Sequence, residues 1–128
     1  MSGTEYIPHK GDIVSASFDP SAGKEIQKRR PALVVSNAQY AKLTGLAVVC
    51  PITHADSNRF RDTGLLIPLH QKKTEGYINP LQFHTFDFRR RRFERIETVA
   101  TDTLAQALQT INDVINATEP RKRGSVKG

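Results

Sequence analysis

Positions 14, 16 and 18 are Val, Ala and Phe, with Ser15 and Ser17 between them. Apolar residues at every second position mark a strand with one buried face, and they predict a strand over residues 13–18. Two runs with hardly a polar break follow, at 32–35 and 46–52. Runs this short and rich in valine read as buried strands. Further short strands are predicted over 64–69, 77–83 and 96–100. Between the first two strands, Asp19-Pro20-Ser21-Ala22-Gly23 opens a loop that continues through the basic residues 24–30. Pro31 disfavours helical geometry at Arg30, which is therefore expected to be extended at a strand entrance. Residues 39–44 read as a polar connection closed by Gly45, and residues 53–63 as a loop without period.

The last element has a different rhythm. Leu104, Leu108, Ile111 and Ile115 recur at helical spacing, and Ala107 and Val114 widen the stripe. Thr103 and Gln106 have capping-box spacing, Asp102 offers another start, and Pro120 sets the stop. Several short strands followed by one amphipathic helix predict a mainly β protein with α: a small β-barrel or sandwich with a C-terminal helix. No internal repeat is present.

At 128 residues the chain is expected to form one domain, with a loose N-terminal arm over 1–10, a folded unit over 11–118 and a basic tail over 119–128. A hydrophobic share of 38% supports one small core. No apolar stretch approaches the roughly 20 residues that span a bilayer, so no membrane role is expected. Residues 1–10 lack an apolar signal region, and the single Cys50 has no partner for a disulfide. Both point to a cytoplasmic protein.

Charge changes the picture more than composition does. The formal net charge is +6, and residues 89–95 alone carry five Arg against Glu94, a net of +4. Residues 119–128 carry a net of +3, and Lys24, Lys28, Arg29 and Arg30 against Glu25 form a third basic cluster. Three such clusters in a short chain suit a polyanion such as nucleic acid, unless they are merely solvated loops and tails.

Candidate chemistry is sparse. The four histidines, at 9, 54, 70 and 84, show no i, i+4 pair and no nearby cysteine pair, so neither a metal nor a cofactor is expected. There is no phosphate-cradling glycine loop or nucleophile elbow. Cys50, inside an apolar run, reads as a buried core thiol. What remains is the basic loop before Pro31 and the pair Thr53-His54 after Pro51-Ile52. If the two strands are neighbours, Arg30 and Thr53 converge at one edge. A guanidinium fork and a hydroxyl there suit a phosphate group. If not, Arg30 is an ordinary surface ion-pair residue.

Four collinear blocks then become recognisable: Gly11-Asp12-Ile13-Val14, Phe18-Asp19-Pro20-Ser21-Ala22-Gly23-Lys24-Glu25, Arg30-Pro31-Ala32-Leu33-Val34-Val35-Ser36 and Val49-Cys50-Pro51-Ile52-Thr53. In this order they resemble the MazF/PemK/Kid family, over about residues 11–115. The resemblance implies an SH3-like barrel of the CcdB/MazF/Kid type. It also implies a sequence-specific, metal-independent endoribonuclease toxin of a type II toxin–antitoxin system. Such toxins cleave single-stranded RNA, including mRNA, by attack of a 2′-hydroxyl, leaving a 2′,3′-cyclic phosphate and a 5′-hydroxyl, and so block translation and growth. It implies a homodimer and an acidic, partly disordered antitoxin as partners.

By the same resemblance Arg30 matches the family's catalytic arginine, Thr53 its catalytic Thr or Ser, and Glu25 a carboxylate near the site. Lys24, Lys28, Arg29, His54, Arg59 and Arg89 are the expected RNA contacts, and Phe60 is either a stacking platform or a core residue. As general base, Glu25 and His54 stay open alternatives. Two departures stand out. Asn79-Pro80-Leu81-Gln82 replaces the Arg-x-Asp-Gln of Kid-like members, so both the arginine and the acidic residue are missing. Lys24 stands where some relatives have His. The segment 89–92 follows Thr85-Phe86-Asp87, where relatives have a basic stretch that either tracks RNA, meets the antitoxin or lines the dimer. The alternative reading is a non-catalytic binder on the same fold, either a CcdB-like gyrase inhibitor or a degenerate RNA-binding homologue.

Overall fold

In a computed structural model, residues 5–18, 28–54 and 61–119 are described. Seven strands form one curled antiparallel sheet, a half-barrel: β1 (Asp12–Ser17), β2 (Arg29–Val34), β3 (Leu46–Thr53), β4 (Ile67–His70), β5 (Glu75–Ile78), β6 (His84–Asp87) and β7 (Glu94–Thr98). Their order is β4-β5-β3-β2-β1-β7, with β6 also on β3. Two helices complete the fold, α1 (Ala38–Thr44) and α2 (Thr101–Asn116).

Both faces of the sheet are buried, which is why its central strands read as near-continuous apolar runs. Alternate residues feed two cores. Ile13, Leu33, Cys50 and Ile52 face one core, which α2 covers with Leu104, Ala107, Leu108 and Ile111. Val14, Ala16, Ala32, Val34 and Val49 face the other, which is closed by Phe86, Phe88, Phe93 and Ala41 of α1.

β3 is the pivot. Its first half pairs with β6, its middle with β2, and its end with β5 through Ile52↔Ile78 and Thr53↔Tyr77. Pro51 marks the change of partner: it has no N–H to give, and its carbonyl accepts from the Asn79 N–H at 2.9 Å.

Several expectations need correction. Residues 39–44 are not a loose connection but most of α1, capped by the Asn37 side chain accepting from the Tyr40 N–H at 2.8 Å and ended by Gly45 in left-handed geometry at φ 78°. Only Ala41 of this helix is buried, so no apolar stripe announced it. The strand expected over 77–83 holds only the end of β5; the buried Asn79 and a 3₁₀ turn over Pro80–Gln82 break it, and β6 begins beyond it at His84. α2 begins from Ala100 without a side-chain cap, so neither Asp102 nor Thr103 serves as one. Its apolar stripe overruns the core: Val114 and Ile115 are exposed.

Of the stretch expected as an arm, residues 5–10 lie against the sheet. Pro8 is fully buried, and Tyr6 and Ile7 pack on the second core. The Tyr6 hydroxyl donates to Asp12 Oδ2, and the His9 N–H donates to the same oxygen at 3.1 Å. Burial, then this hydrogen bond, pushes the Tyr6 hydroxyl pKa well above the usual tyrosine range.

Candidate active site

β2 and β3 are antiparallel with Ala32 opposite Pro51. Two more residues in that register set Arg30 against Thr53, so the start of one strand and the end of the other meet at one sheet edge. There an open cleft of about 550 Å³ is lined by Lys28, Arg29, Arg30, Pro31, Ile52, Thr53, His54 and Glu75. The convergence expected from sequence is therefore met.

The three cations of the cleft differ in what holds them. Arg29 donates from Nε to Ser15 Oγ and from Nη2 to the Ser15 carbonyl, both at 2.8 Å. It also donates to the Arg92 carbonyl at 2.5 Å and lies 3.8 Å from Glu94. This guanidinium ties β2 to β1 and to the turn before β7. Among the described residues, none hydrogen-bonds or ion-pairs with the Arg30 guanidinium or the Lys28 ammonium, so both are available to an anion.

A second cleft, of about 310 Å³, adjoins the first and shares Arg30, Ile52 and Thr53 with it; Phe18, Pro51, Gln82 and His84 complete its walls. These walls are aromatic and fixed. The Phe18 ring meets Phe86 edge-on at 5.0 Å, the His84 ring lies 4.4 Å from Phe86, and the Arg91 guanidinium sits 4.2 Å over Phe86. Burial, and then the charge of Arg91, hold the His84 pKa below the ordinary histidine range. His84 thus faces this cleft as a neutral ring near pH 7. The Gln82 side-chain oxygen accepts from Asn79 Nδ2 at 2.8 Å, which leaves its NH₂ to donate. Cationic and aromatic compartments sharing one arginine can hold a phosphate and an adjoining planar ring together.

Of the other expected site residues, Arg89 is elsewhere. It forms an ion pair with Glu5 and lines a separate hollow with Tyr6, Phe88, Arg92 and Phe93. The hydrogen bond from Arg89 holds the Glu5 carboxyl below its usual range. Lys24, Glu25, Arg59 and Phe60 lie outside the described residues. Cys50 is a fully buried core thiol, pushed up to about 12 by that burial. Sequence reasoning missed Glu75, Gln82, His84 and the site role of Phe18, because pairing with β3, not spacing along the chain, brings the first three here. Leu81, where relatives carry an acid, lines neither cleft.

The fold and site define a small half-barrel protein with a cationic cleft where the start of β2 meets the end of β3. Residues 9–115 match the family model described as PemK-like, MazF-like toxin of type II toxin–antitoxin system. The chain belongs to this family. It is similar to the endoribonuclease toxin ChpB of Escherichia coli strain K12, at 35% identity over 109 residues covering 83% of this chain and 92% of that one. It is 32% identical to the endoribonuclease PemK of Escherichia coli over 108 residues, 83% of this chain and 80% of that one. Among solved structures, MazF from Deinococcus radiodurans superposes with a TM-score of 0.72 at 31% identity, covering 87% of this chain and 98% of that one. A MazE–MazF structure from the same organism gives 0.73 at 31%, covering 86% and 97%.

Proposed function

We propose that this protein is the endoribonuclease toxin of a toxin–antitoxin pair and cuts single-stranded RNA at the Arg30–Thr53 edge. The observation that carries the reading is the pair of adjoining clefts, which fits a nucleic-acid strand better than a lone anion. A phosphate in the first cleft meets Arg30 and Lys28, and a neighbouring unstacked base enters the second between Phe18 and His84, within reach of the Gln82 NH₂.

Transfer begins when the 2′-oxygen attacks the adjacent phosphorus. It ends when the bond to the 5′-oxygen breaks, leaving a 2′,3′-cyclic phosphate and a 5′-hydroxyl. Negative charge gathers on the non-bridging oxygens in between. Arg30, without a partner among the described residues and placed at a strand start, stabilises that charge with little reorganisation. The Thr53 hydroxyl hydrogen-bonds the same phosphate.

The partners follow from the charge and from the relatives. The MazF relative is solved together with MazE, and an acidic antitoxin segment that folds on binding would compete with RNA for the cationic cleft. We take the working unit to be a homodimer.

The test is cleavage of long single-stranded RNAs in EDTA, with the product ends mapped for wild type and Arg30→Ala. Discrete cuts with cyclic phosphate ends are expected. Removing one charge-stabilising donor of this kind typically costs about 10²–10³ in rate. A folded wild type that cuts none of several RNAs would instead favour a non-catalytic binder.

A further inference from the structure

We propose that Glu75 is the general base of this cleft, taking the proton from the attacking 2′-hydroxyl; the assignment rests on the ribonuclease reading above. The carboxylate that family resemblance places near the site, Glu25, lies outside the described residues, and the acidic position before Gln82 is Leu81, which lines neither cleft. The fold supplies a carboxylate from another strand.

Glu75 is the first residue of β5 and the one carboxylate among the described residues lining the Arg30 cleft. Its neighbours there are Lys28, Arg29 and Arg30, yet no described residue hydrogen-bonds or ion-pairs with its carboxylate. The Arg30 guanidinium likewise has no partner among the described residues. An acid and a guanidinium that share a cleft usually close into an ion pair; here they stand apart, held on two strands that both pair with β3. In the proposed placement a ribose and its phosphate occupy this cleft, with Arg30 meeting the phosphate and Glu75 the 2′-hydroxyl. Glu75 is also firmly placed. Gly76, at φ 141°, lets β5 approach so closely that a Cβ there would lie 2.8 Å from the Thr53 carbonyl oxygen. β5 is further fixed by pairing Glu75 with His70.

The other described cleft groups narrow the choice. Arginine cannot be deprotonated in a protein, and Lys28 is a cation. A threonine hydroxyl is no base. Among the described groups His54 alone competes; Glu25, the other candidate, lies outside them. In the step proposed, the 2′-O–H proton passes to a Glu75 carboxylate oxygen as the 2′-oxygen bonds to phosphorus. The P–O5′ bond then breaks with its electron pair on the 5′-oxygen, which takes a proton from water, and Glu75 returns its proton to water.

The experiment compares wild type, Glu75→Gln, Glu75→Asp and His54→Ala. Single-turnover cleavage rates are measured across pH on an RNA the wild type cuts. Affinity is measured on the same RNA with 2′-deoxyribose at the cut. Glu75→Gln is expected to lose about 10²–10⁴ in rate, the usual cost of removing a general base. It should bind the deoxy RNA at least as well as wild type and lose the rise of rate with pH on the acidic side. Glu75→Asp should keep that rise at a reduced rate, and so should His54→Ala. The assignment is overturned if Glu75→Gln cleaves within about threefold of wild type, or if its rate loss is matched by lost affinity with the pH rise intact. It is equally overturned if the pH rise vanishes in His54→Ala and persists in Glu75→Gln. A wild type that cleaves nothing would instead sink the ribonuclease reading on which this rests.

Discussion

Arg29 and Arg30 are adjacent, both exposed and both on β2, yet they have opposite fates. Alternation along a strand sends successive side chains to opposite sides. Arg29 is thereby turned toward Ser15 and the Arg92 carbonyl, while Arg30 is left without a described partner. His84 shows how one such placement becomes measurable. Its imidazole is partly desolvated and lies near Arg91, and both effects disfavour its charged form. A histidine whose folded pKa is depressed adds stability that is full above its unfolded pKa, about 6.5. That stability is lost as pH falls from there through the lower folded value. Urea midpoints of wild type should therefore drop relative to His84→Gln between pH 7.5 and 5, and the His84 ring should titrate below the ordinary range by NMR. Parallel midpoint curves for the two proteins would refute the linkage.

At the scale of elements, the site depends on how closely β5 crosses the end of β3. Gly76→Ala would put a methyl carbon 2.8 Å from the Thr53 oxygen and 3.2 Å from Ile52 Cγ2, on a backbone that L side chains rarely adopt. The expected cost exceeds about 1 kcal/mol in urea unfolding. Cleavage should fall further than the unfolded fraction explains, because Thr53 must move. Wild-type stability and rate together would show that the strands part without consequence.

The same crossing explains what could be read from sequence. Strands β1, β2 and β3 were legible since their apolar residues fill two cores. The convergence of Arg30 with Thr53 followed once β2 and β3 were taken as neighbours. α1, with Ala41 as its sole buried residue, had only its caps Asn37 and Gly45 to announce it. β6 lies beyond the stretch expected as a strand over 77–83, and with Phe86 as its one buried residue its sequence carries no apolar alternation. Glu75, Gln82 and His84 join the site through partners more than twenty residues away, and no local spacing encodes that.

Over the whole molecule, charge is spread unevenly, and the fold separates clusters that are alike in sequence. Lys28 and Arg30 line the cleft without a side-chain partner among the described residues. Arg89, from the densest basic run, is paired with Glu5 and stacks 4.9 Å over Phe88 in a different hollow. Arg91 is spent on Phe86 and on the Ser17 carbonyl, to which it donates at 3.3 Å. Net charge alone would assign all of them to RNA. The geometry instead predicts that only the cleft cations neutralise phosphates. Each phosphate contact on a single strand contributes about 0.7 to the slope of log affinity against log salt. With an RNA carrying 2′-deoxyribose at the cut, Lys28→Ala should flatten that slope by about this amount, whereas Arg89→Ala should leave it unchanged. The Glu5–Arg89 pair is exposed, and exposed pairs contribute little to stability, so the second variant should also melt near wild type. Equal flattening by both substitutions would mean that the bound strand continues across the arginine turn, and that RNA breaks the Glu5 contact as it binds.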